Sequence, residues 1–171
     1  MKEFRAVFEE ELGYVWSTLR RLGVRSADLE DVAHEVFVVV HRRLPDFDPE
    51  RPLRPWLFGI AYRVTADYRR RAHRRYEVST DMEPRESAAG GPEEDAMQRE
   101  RRVLLARALD MLDDDKRAVI VMHDLDEVPM PEIAHALEIP LNTGYSRLRL
   151  ARRDLAEAVR TLRDAPARSA R

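Results

Sequence analysis

Apolar residues recur every three or four positions along most of this 171-residue chain, and proline and glycine interrupt that pattern at only a few places. The spacing predicts one helix over residues 3–22 and another from Ser26 or Asp28 to Leu44. Such spacing places apolar side chains on one face of a helix, whereas a half-buried strand needs strict alternation. Val36–Val40 also suits a short buried strand, but the spacing that continues to Leu44 favours the helix. The fold class is therefore predicted to be all-α.

Breaks in the same pattern divide the chain into two small helical domains. The proline-rich segment 45–55 interrupts the first domain, and a third helix is expected from about Trp56. Residues 77–98 contain seven acidic residues and almost nothing to bury, which is typical of a flexible linker. We therefore predict domains at residues 1–76 and 99–165, the second with about four helices, followed by a tail at 166–171.

Charge is segregated along the chain, although the formal net charge is only −2. Residues 51–76 contain eight Arg against one Asp, residues 77–127 contain 15 acidic and seven basic side chains, and residues 128–171 are again basic. Phosphate groups respond to such local patches rather than to net charge. Two basic blocks predict two contact surfaces on one polyanion, or one such surface and one protein partner.

Several classes of site are excluded by residue content. The chain has no cysteine, which excludes disulfides, zinc–thiolate sites and thiol chemistry. No apolar run approaches the ~20 residues of a membrane span, and the N-terminus lacks the apolar core of a signal peptide. We expect a cytoplasmic protein without membrane insertion, metal or other cofactor.

The most informative local motif spans Pro131–Arg153. Pro131 suits the first turn of a short helix, residues 138–140 end it, and Asn142 or Thr143 is expected to cap a second helix. The second helix is expected to present a polar and basic face made of Tyr145, Ser146, Arg147, Arg149 and Arg152. This helix-turn-helix pattern fits the major groove of DNA, where Arg reads guanine or binds phosphate. An ordinary helical hairpin with a solvated Arg face is the alternative.

Two separate segments resemble one protein family. The run Asp28–Phe37, followed by Phe47–Arg51 and Trp56–Ala61, resembles region two of the small extracytoplasmic-function group of sigma-seventy factors. Residues 112–155 resemble region four of that group, which holds its helix-turn-helix. The resemblance implies a dissociable initiation subunit of RNA polymerase with no catalytic activity of its own. Its implied partners are core RNA polymerase, promoter DNA and an anti-sigma factor.

The resemblance also implies roles for individual residues. Asp31, His34 and Glu35 would dock the clamp helices of the largest polymerase subunit. The proline-rich loop would capture an unstacked base of the minus-ten element. The implied DNA-binding residues of the first domain are Arg63, Arg69, Arg70 and Arg71, and those of the second are Thr143, Tyr145, Ser146, Arg147, Arg149 and Arg152. Trp56 could stack on a base, but its register with Ile60 favours a core position.

Some positions depart from the family pattern, and two other functions remain as alternatives. Gly59 stands where the family often has Arg or a larger residue, and Gly144, Tyr145 and Leu150 also differ from common family residues. Gly144 near the start of the recognition helix would permit close approach to a phosphate. The alternatives are a helix-turn-helix regulator that acts without replacing the sigma subunit, and a helical metalloenzyme that uses Asp31, His34 and Glu35, with His41 as a further candidate ligand.

Overall fold

The structure, a computed structural model, describes residues 3–76 and 96–164. These residues form seven α-helices, and no strand occurs among them. The helices are α1 Phe4–Arg21, α2 Leu29–Arg43, α3 Leu53–Tyr76, α4 Ala96–Asp110, α5 Asp114–Ile120, α6 Met130–Ala136 and α7 Leu141–Asp164. The all-α prediction is confirmed. None of the described helices is both long and apolar enough to cross a membrane.

The first domain is a three-helix bundle around an apolar core that continues into the second domain. Val36 and Val40 lie on the inner face of α2 and are completely buried, so the ambiguous valine run is helical. Helix α1 contributes Leu19 and α3 contributes Phe58 to the same core, and both side chains are fully buried. Helical register therefore decides the conformation here over the strand propensity of valine.

The proline-rich segment is shorter than predicted. A 3₁₀ turn at Leu44–Asp46 precedes it, and α3 begins at Leu53 rather than near Trp56. Pro55 consequently lies inside the first turn of α3. The expectation was wrong because proline is tolerated there, where its missing N–H has no helical partner.

In the second domain, α6 and α7 form the predicted helix-turn-helix. The turn is closed by hydrogen bonds from the Glu138 amide to the His135 carbonyl and from the Ile139 amide to the Ala134 carbonyl, at 3.1 and 2.9 Å. Glu138 itself has a φ of 56°. Helix α7 begins at Leu141, so neither of the two residues expected to cap it occupies the N-cap position.

Two further details of this domain follow from local chemistry. The side chain of Asp113 accepts a hydrogen bond of 2.9 Å from the Lys116 amide and caps α5. Helix α5 ends at Ile120, and a π-helical turn, Val121–Leu125, follows it.

The proposed linker and tail lie mainly outside the described residues. Of the linker 77–98, only residues 96–98 are described, and these belong to the first turn of α4. The tail 166–171 is outside the described ranges. The two helical units pack directly against each other, with α3 of the first against α5 and α6 of the second.

Candidate functional site

The basic helix α3 presents its four candidate arginines in two different settings. Arg63 is partly exposed and donates to the Ala136 carbonyl at 3.3 Å and to Glu138 Oε1 at 3.1 Å, both in the second domain. Arg69 pairs with Asp114, also in the second domain, and donates to the Leu22 carbonyl. These two arginines are therefore held by acceptors outside their own helix.

The other two arginines remain on the open surface of α3. Arg70 pairs with Asp67 one turn earlier, and Arg71 Nη2 lies 2.6 Å from Glu35 Oε2 on α2. The hydrogen bond that Arg71 donates to Glu35 raises the pKa of Arg71, which stays charged. Exposed pairs of this kind are weak, so phosphate groups can replace the carboxylates.

The three candidate polymerase-docking residues share one groove between α2 and α3. Asp31 and His34 are exposed, and Glu35 is half-exposed beside Arg71. The floor of the groove is anchored by a 2.6 Å hydrogen bond from the Tyr68 hydroxyl to Asp28. Burial, followed by the bond to Asp28, raises the pKa of Tyr68 to about 12. The groove is thus lined mainly by acidic side chains from α2 and the turn before it, next to the basic helix α3.

An aromatic pair marks a second cleft at the proline-rich segment. The rings of Phe47 and Trp56 lie 4.9 Å apart between centroids, and Trp56 is half-buried. Trp56 packs against the core, as its register with Ile60 predicted, and it also lines the cleft. Phe47 was not among the candidate residues; its signal is that it is the only aromatic residue between the first and last prolines of the segment. Across the cleft lie Glu132 of α6 and Glu138 in the turn that follows α6.

The recognition helix α7 exposes part of the predicted surface. Tyr145 is 52 % exposed, Ser146 and Arg149 are exposed, and Thr143 is half-buried. Arg147 lies 2.6 Å from Asp115 on α5. The structure thus brings the opening turns of α7 together as one surface.

Arg152 lies further along α7 and is held by Asp124. Its guanidinium makes two hydrogen bonds to that carboxylate, of 2.6 and 2.9 Å. These bonds, with His123 adding to them, lower the pKa of Asp124.

Gly144 has a packing role that the sequence did not indicate. Its Cα is buried, and an added Cβ would lie 2.6 Å from the Met130 sulfur of α6. The expectation that Gly144 faces a phosphate is therefore wrong, because the space above it is filled by the preceding helix.

Sequence reasoning also missed the acidic side chains that contact α3. They belong to the second domain: Asp114, Asp115 and Glu138 contact α3, and Glu132 pairs with Arg51 just before that helix. The Tyr62 hydroxyl donates to Asp115, and burial together with this bond raises the pKa of Tyr62 to about 12. The only signal in the sequence was the acidic run at 113–115.

Comparison with known proteins identifies both halves of the chain. Residues 7–75 match the family model for Sigma-70 region 2, and residues 102–155 match the model for Sigma-70, region 4. RNA polymerase sigma factor CnrH of Cupriavidus metallidurans is 33 % identical over 145 residues, covering 80 % of this chain and 76 % of that protein. The ECF RNA polymerase sigma-E factor of Escherichia coli is 30 % identical over 149 residues, covering 81 % and 78 %.

Two solved structures are similar in fold. CnrH in complex with the cytosolic domain of CnrY has a TM-score of 0.64 at 28 % identity, covering 92 % of this chain and 88 % of that one. The sigma factor RpoE in complex with the anti-sigma factor NepR, from Bartonella quintana, has a TM-score of 0.75 at 20 % identity, covering 94 % and 98 %.

Proposed function

This chain belongs to the extracytoplasmic-function sigma factors of the sigma-70 family. On that basis we propose which of its residues bind RNA polymerase and which bind promoter DNA. As a sigma factor, it binds core RNA polymerase and directs promoter recognition, DNA melting and transcription initiation. The observation that carries this conclusion is the match to both sigma regions, in the family order, on one chain. The alternative of a regulator that acts without replacing the sigma subunit is not favoured. We assign the chain no catalytic step of its own.

The proposed polymerase-docking surface is the groove between α2 and α3. The support is that Asp31, His34 and Glu35 line one groove, where Asp31 and His34 are exposed and Glu35 is half-exposed. Reversing a charge in a protein contact costs several kcal/mol, whereas on a solvated helix face it costs a few tenths.

We therefore expect Asp31→Lys to lose core polymerase in a co-purification assay while its helicity and melting stay unchanged. Glu30→Lys is the matched control, because it makes the same charge change on the same helix outside the groove. Equal recovery of polymerase with both variants would remove this groove as the docking surface.

The proposed minus-ten surface combines the cleft and the basic helix. The Phe47–Trp56 pair can stack on an unpaired base, and arginines 63 and 69–71 can neutralise the adjacent phosphates. The proposed domain bounds are residues 1–76 for this unit and 99–165 for the other, joined by residues 77–98.

The proposed minus-thirty-five surface is the start of α7. Exposure of Ser146 and Arg149 supports base contact, while Thr143, Arg147 and Arg152 are assigned to phosphates and Tyr145 to either. Arg147 and Arg152 already hold carboxylates, which are the anionic groups of the protein most like a phosphate.

An anti-sigma factor is the further partner that we propose. Its support is that RpoE, which has a similar fold, is bound to the anti-sigma factor NepR, and that CnrH is bound to the cytosolic domain of CnrY.

A further inference from the structure

Three side chains form a cluster that joins the π-helical turn before α6 to the recognition helix α7. His123 and Asp124 belong to the turn, and Arg152 belongs to α7. His123 Nδ1 lies 2.7 Å from Asp124 Oδ1, and Arg152 donates two hydrogen bonds to the same carboxylate. Arg152 Nη2 also lies 3.4 Å from His123 Nδ1. We call these three residues the histidine cluster.

The π-helical turn holds two neighbouring residues against one guanidinium. Neighbouring side chains on a regular helix do not face each other. In this turn, however, His123 and Asp124 both lie beside Arg152. Turns of this kind are rare and occur frequently at functional sites. The turn thus adds an imidazole to an ion pair that would otherwise consist of Asp124 and Arg152.

The histidine cluster lies at the end of the exposed face of α7. Tyr145, Arg149 and Arg152 are spaced by four and three positions, so they share one face of the helix. The side chain of Arg152 is 53 % exposed, and those of His123 and Asp124 are 31 % and 29 % exposed. A phosphate that contacts the Arg152 guanidinium therefore also comes close to the imidazole of His123.

The charge of the cluster depends on the protonation of His123. Imidazole is the side chain that changes its charge between about pH 5 and pH 8. While His123 is neutral, the Asp124 carboxylate compensates the charge of Arg152. When His123 is protonated, two cations share that carboxylate, and one positive charge is left over.

The elements around the cluster leave His123 to these two partners. Within the described residues, His123 forms hydrogen bonds or ion pairs with Asp124 and Arg152 alone. The turn also packs against α5 and α6, where His135 is exposed. The other charged groups of the turn, α5 and α6 pair elsewhere: Asp114 with Arg69, Asp115 with Arg147, Lys116 with Asp154, Arg117 with Asp110, Asp126 with Arg21 and Glu132 with Arg51.

We propose that His123 and Arg152 form a phosphate-binding site for promoter DNA whose strength is set by the protonation of His123, so that this sigma factor binds duplex DNA more tightly as the pH falls. The inference rests on the proposed function of α7 as the minus-thirty-five reader. Asp124 is the anion that a DNA phosphate has to replace. Protonated His123 favours this exchange because it competes with Arg152 for the carboxylate and offers the phosphate a second cation.

The exposure of the cluster determines the size of the expected effect. Partly exposed ion pairs are weak, so one added charge should tighten DNA binding by about two- to five-fold. One added phosphate contact should also steepen the salt dependence of binding by about one unit of slope. Both effects should appear together between about pH 8 and about pH 5.5.

The test uses the full-length chain and short duplexes of randomised sequence, because phosphate contacts do not depend on base sequence. Fluorescence anisotropy gives the affinity at both pH values and at two salt concentrations. The decisive variant is His123→Gln, which removes the titrating group and keeps a side chain that can form hydrogen bonds. Its matched control is His135→Gln, the same change at an exposed histidine of the same domain.

We expect the native chain and His135→Gln to bind the duplexes about two- to five-fold more tightly at the lower pH. His123→Gln should bind them equally well at both pH values, with equal salt slopes. The proposal is overturned if the native chain shows no such pH dependence, or if His123→Gln and His135→Gln retain it alike.

Two further variants separate phosphate binding from structural support. His123→Arg carries a permanent charge and should bind at about pH 8 as tightly as the native chain does at about pH 5.5. Asp124→Asn removes the competing carboxylate and should also tighten binding at about pH 8, whereas a purely structural ion pair predicts weaker binding after its loss. Weaker binding than the native chain, by either variant with native circular dichroism, would contradict the phosphate site.

Arg147→Ala separates this inference from the proposed function of α7. Arg147 is assigned to a phosphate and pairs with Asp115, outside the histidine cluster. If Arg147→Ala leaves the affinity for the duplexes unchanged, the proposed DNA-binding surface of α7 is refuted. If Arg147→Ala weakens binding while His123→Gln keeps the native pH dependence, the histidine cluster alone is refuted.

Discussion

Arg117 offers a direct test of whether the two domains form one cooperative structure. Its side chain is 3 % exposed, and its guanidinium donates to the carbonyl of Leu22 at the end of α1 at 3.0 Å. It also reaches the Leu112 carbonyl at 3.4 Å and lies 3.4 Å from Asp110. A residue of α5 thus donates a hydrogen bond to a carbonyl group at the carboxyl-terminal end of α1, which lies in the first domain. The helix dipole favours a cation at that end.

Replacement of Arg117 by Met keeps the apolar stem and removes the charge. A hydrogen bond to a charged group contributes about 1.5–3 kcal/mol, and loss of one member of a buried pair costs about 3–5 kcal/mol. Asp110 is 31 % exposed and can recover water, so the lower part of that range applies. We expect the free energy of unfolding to fall by about 2–3 kcal/mol.

Tryptophan fluorescence during urea unfolding is the appropriate assay. Trp16 and Trp56 are the only two tryptophans, and both lie in the first domain, whereas Arg117 lies in the second. With a urea slope of about 2 kcal/mol per molar, the fluorescence midpoint should fall by about 1 M. Arg160→Met, on the exposed face of α7, should change stability by less than about 0.5 kcal/mol. A fluorescence midpoint that stays unchanged in Arg117→Met would refute the coupling of the domains through this residue.

Two further predictions concern α7 and its surroundings. Arg149→Ala should weaken the binding free energy for the preferred duplex by about 1–3 kcal/mol and relax discrimination at one base position, whereas Arg147→Ala should weaken binding to all duplexes alike and reduce the salt slope by about one. Titrations of both variants at two salt concentrations distinguish these effects. Uniform weakening of all duplexes by Arg149→Ala would contradict its assignment as a base reader. Arg152 lowers the pKa of Asp124 in the folded chain. The pair therefore stabilises the fold fully at pH values above the unfolded-state pKa of Asp, about 3.9. This stabilisation is lost as the pH falls through the lower pKa of the folded state. Asp124→Asn should therefore lose less stability than the native chain between pH 5 and pH 3 in urea titrations, and an unchanged pH dependence would argue against a role for the pair.

Local patterns predicted most of the fold because they determine most of it. The spacing around Val36 and Val40 continues to Leu44, and the structure buries that same face. Pro131 and the break at 138–140 predicted the helix-turn-helix for the same reason. The start of α3 was predicted too late in the chain, because proline is compatible both with a loop and with the first turn of a helix. Pro55 occupies such a first turn.

Contacts between distant segments could not be predicted in this way. Gly144 packs against Met130, and Gly59 packs against Ala136, which is 77 positions away in sequence. Each position lacks room for a Cβ because of the residue that packs against it. The pairing of Arg63 with Glu138 likewise depends on how two helices from separate domains approach each other. Charge segregation predicted contact surfaces for the two basic blocks, but not that carboxylates of the second domain pair with arginines of the first.

Promoter opening with core RNA polymerase tests the central claim most directly. Randomised duplex templates would be incubated with core polymerase and the full-length chain, and templates with unpaired bases would be captured and sequenced. The account predicts opened templates that share one minus-ten and one minus-thirty-five motif, and none when either the chain or the core polymerase is omitted. Selection of duplex templates by the chain alone, with no opening when polymerase is added, would contradict it.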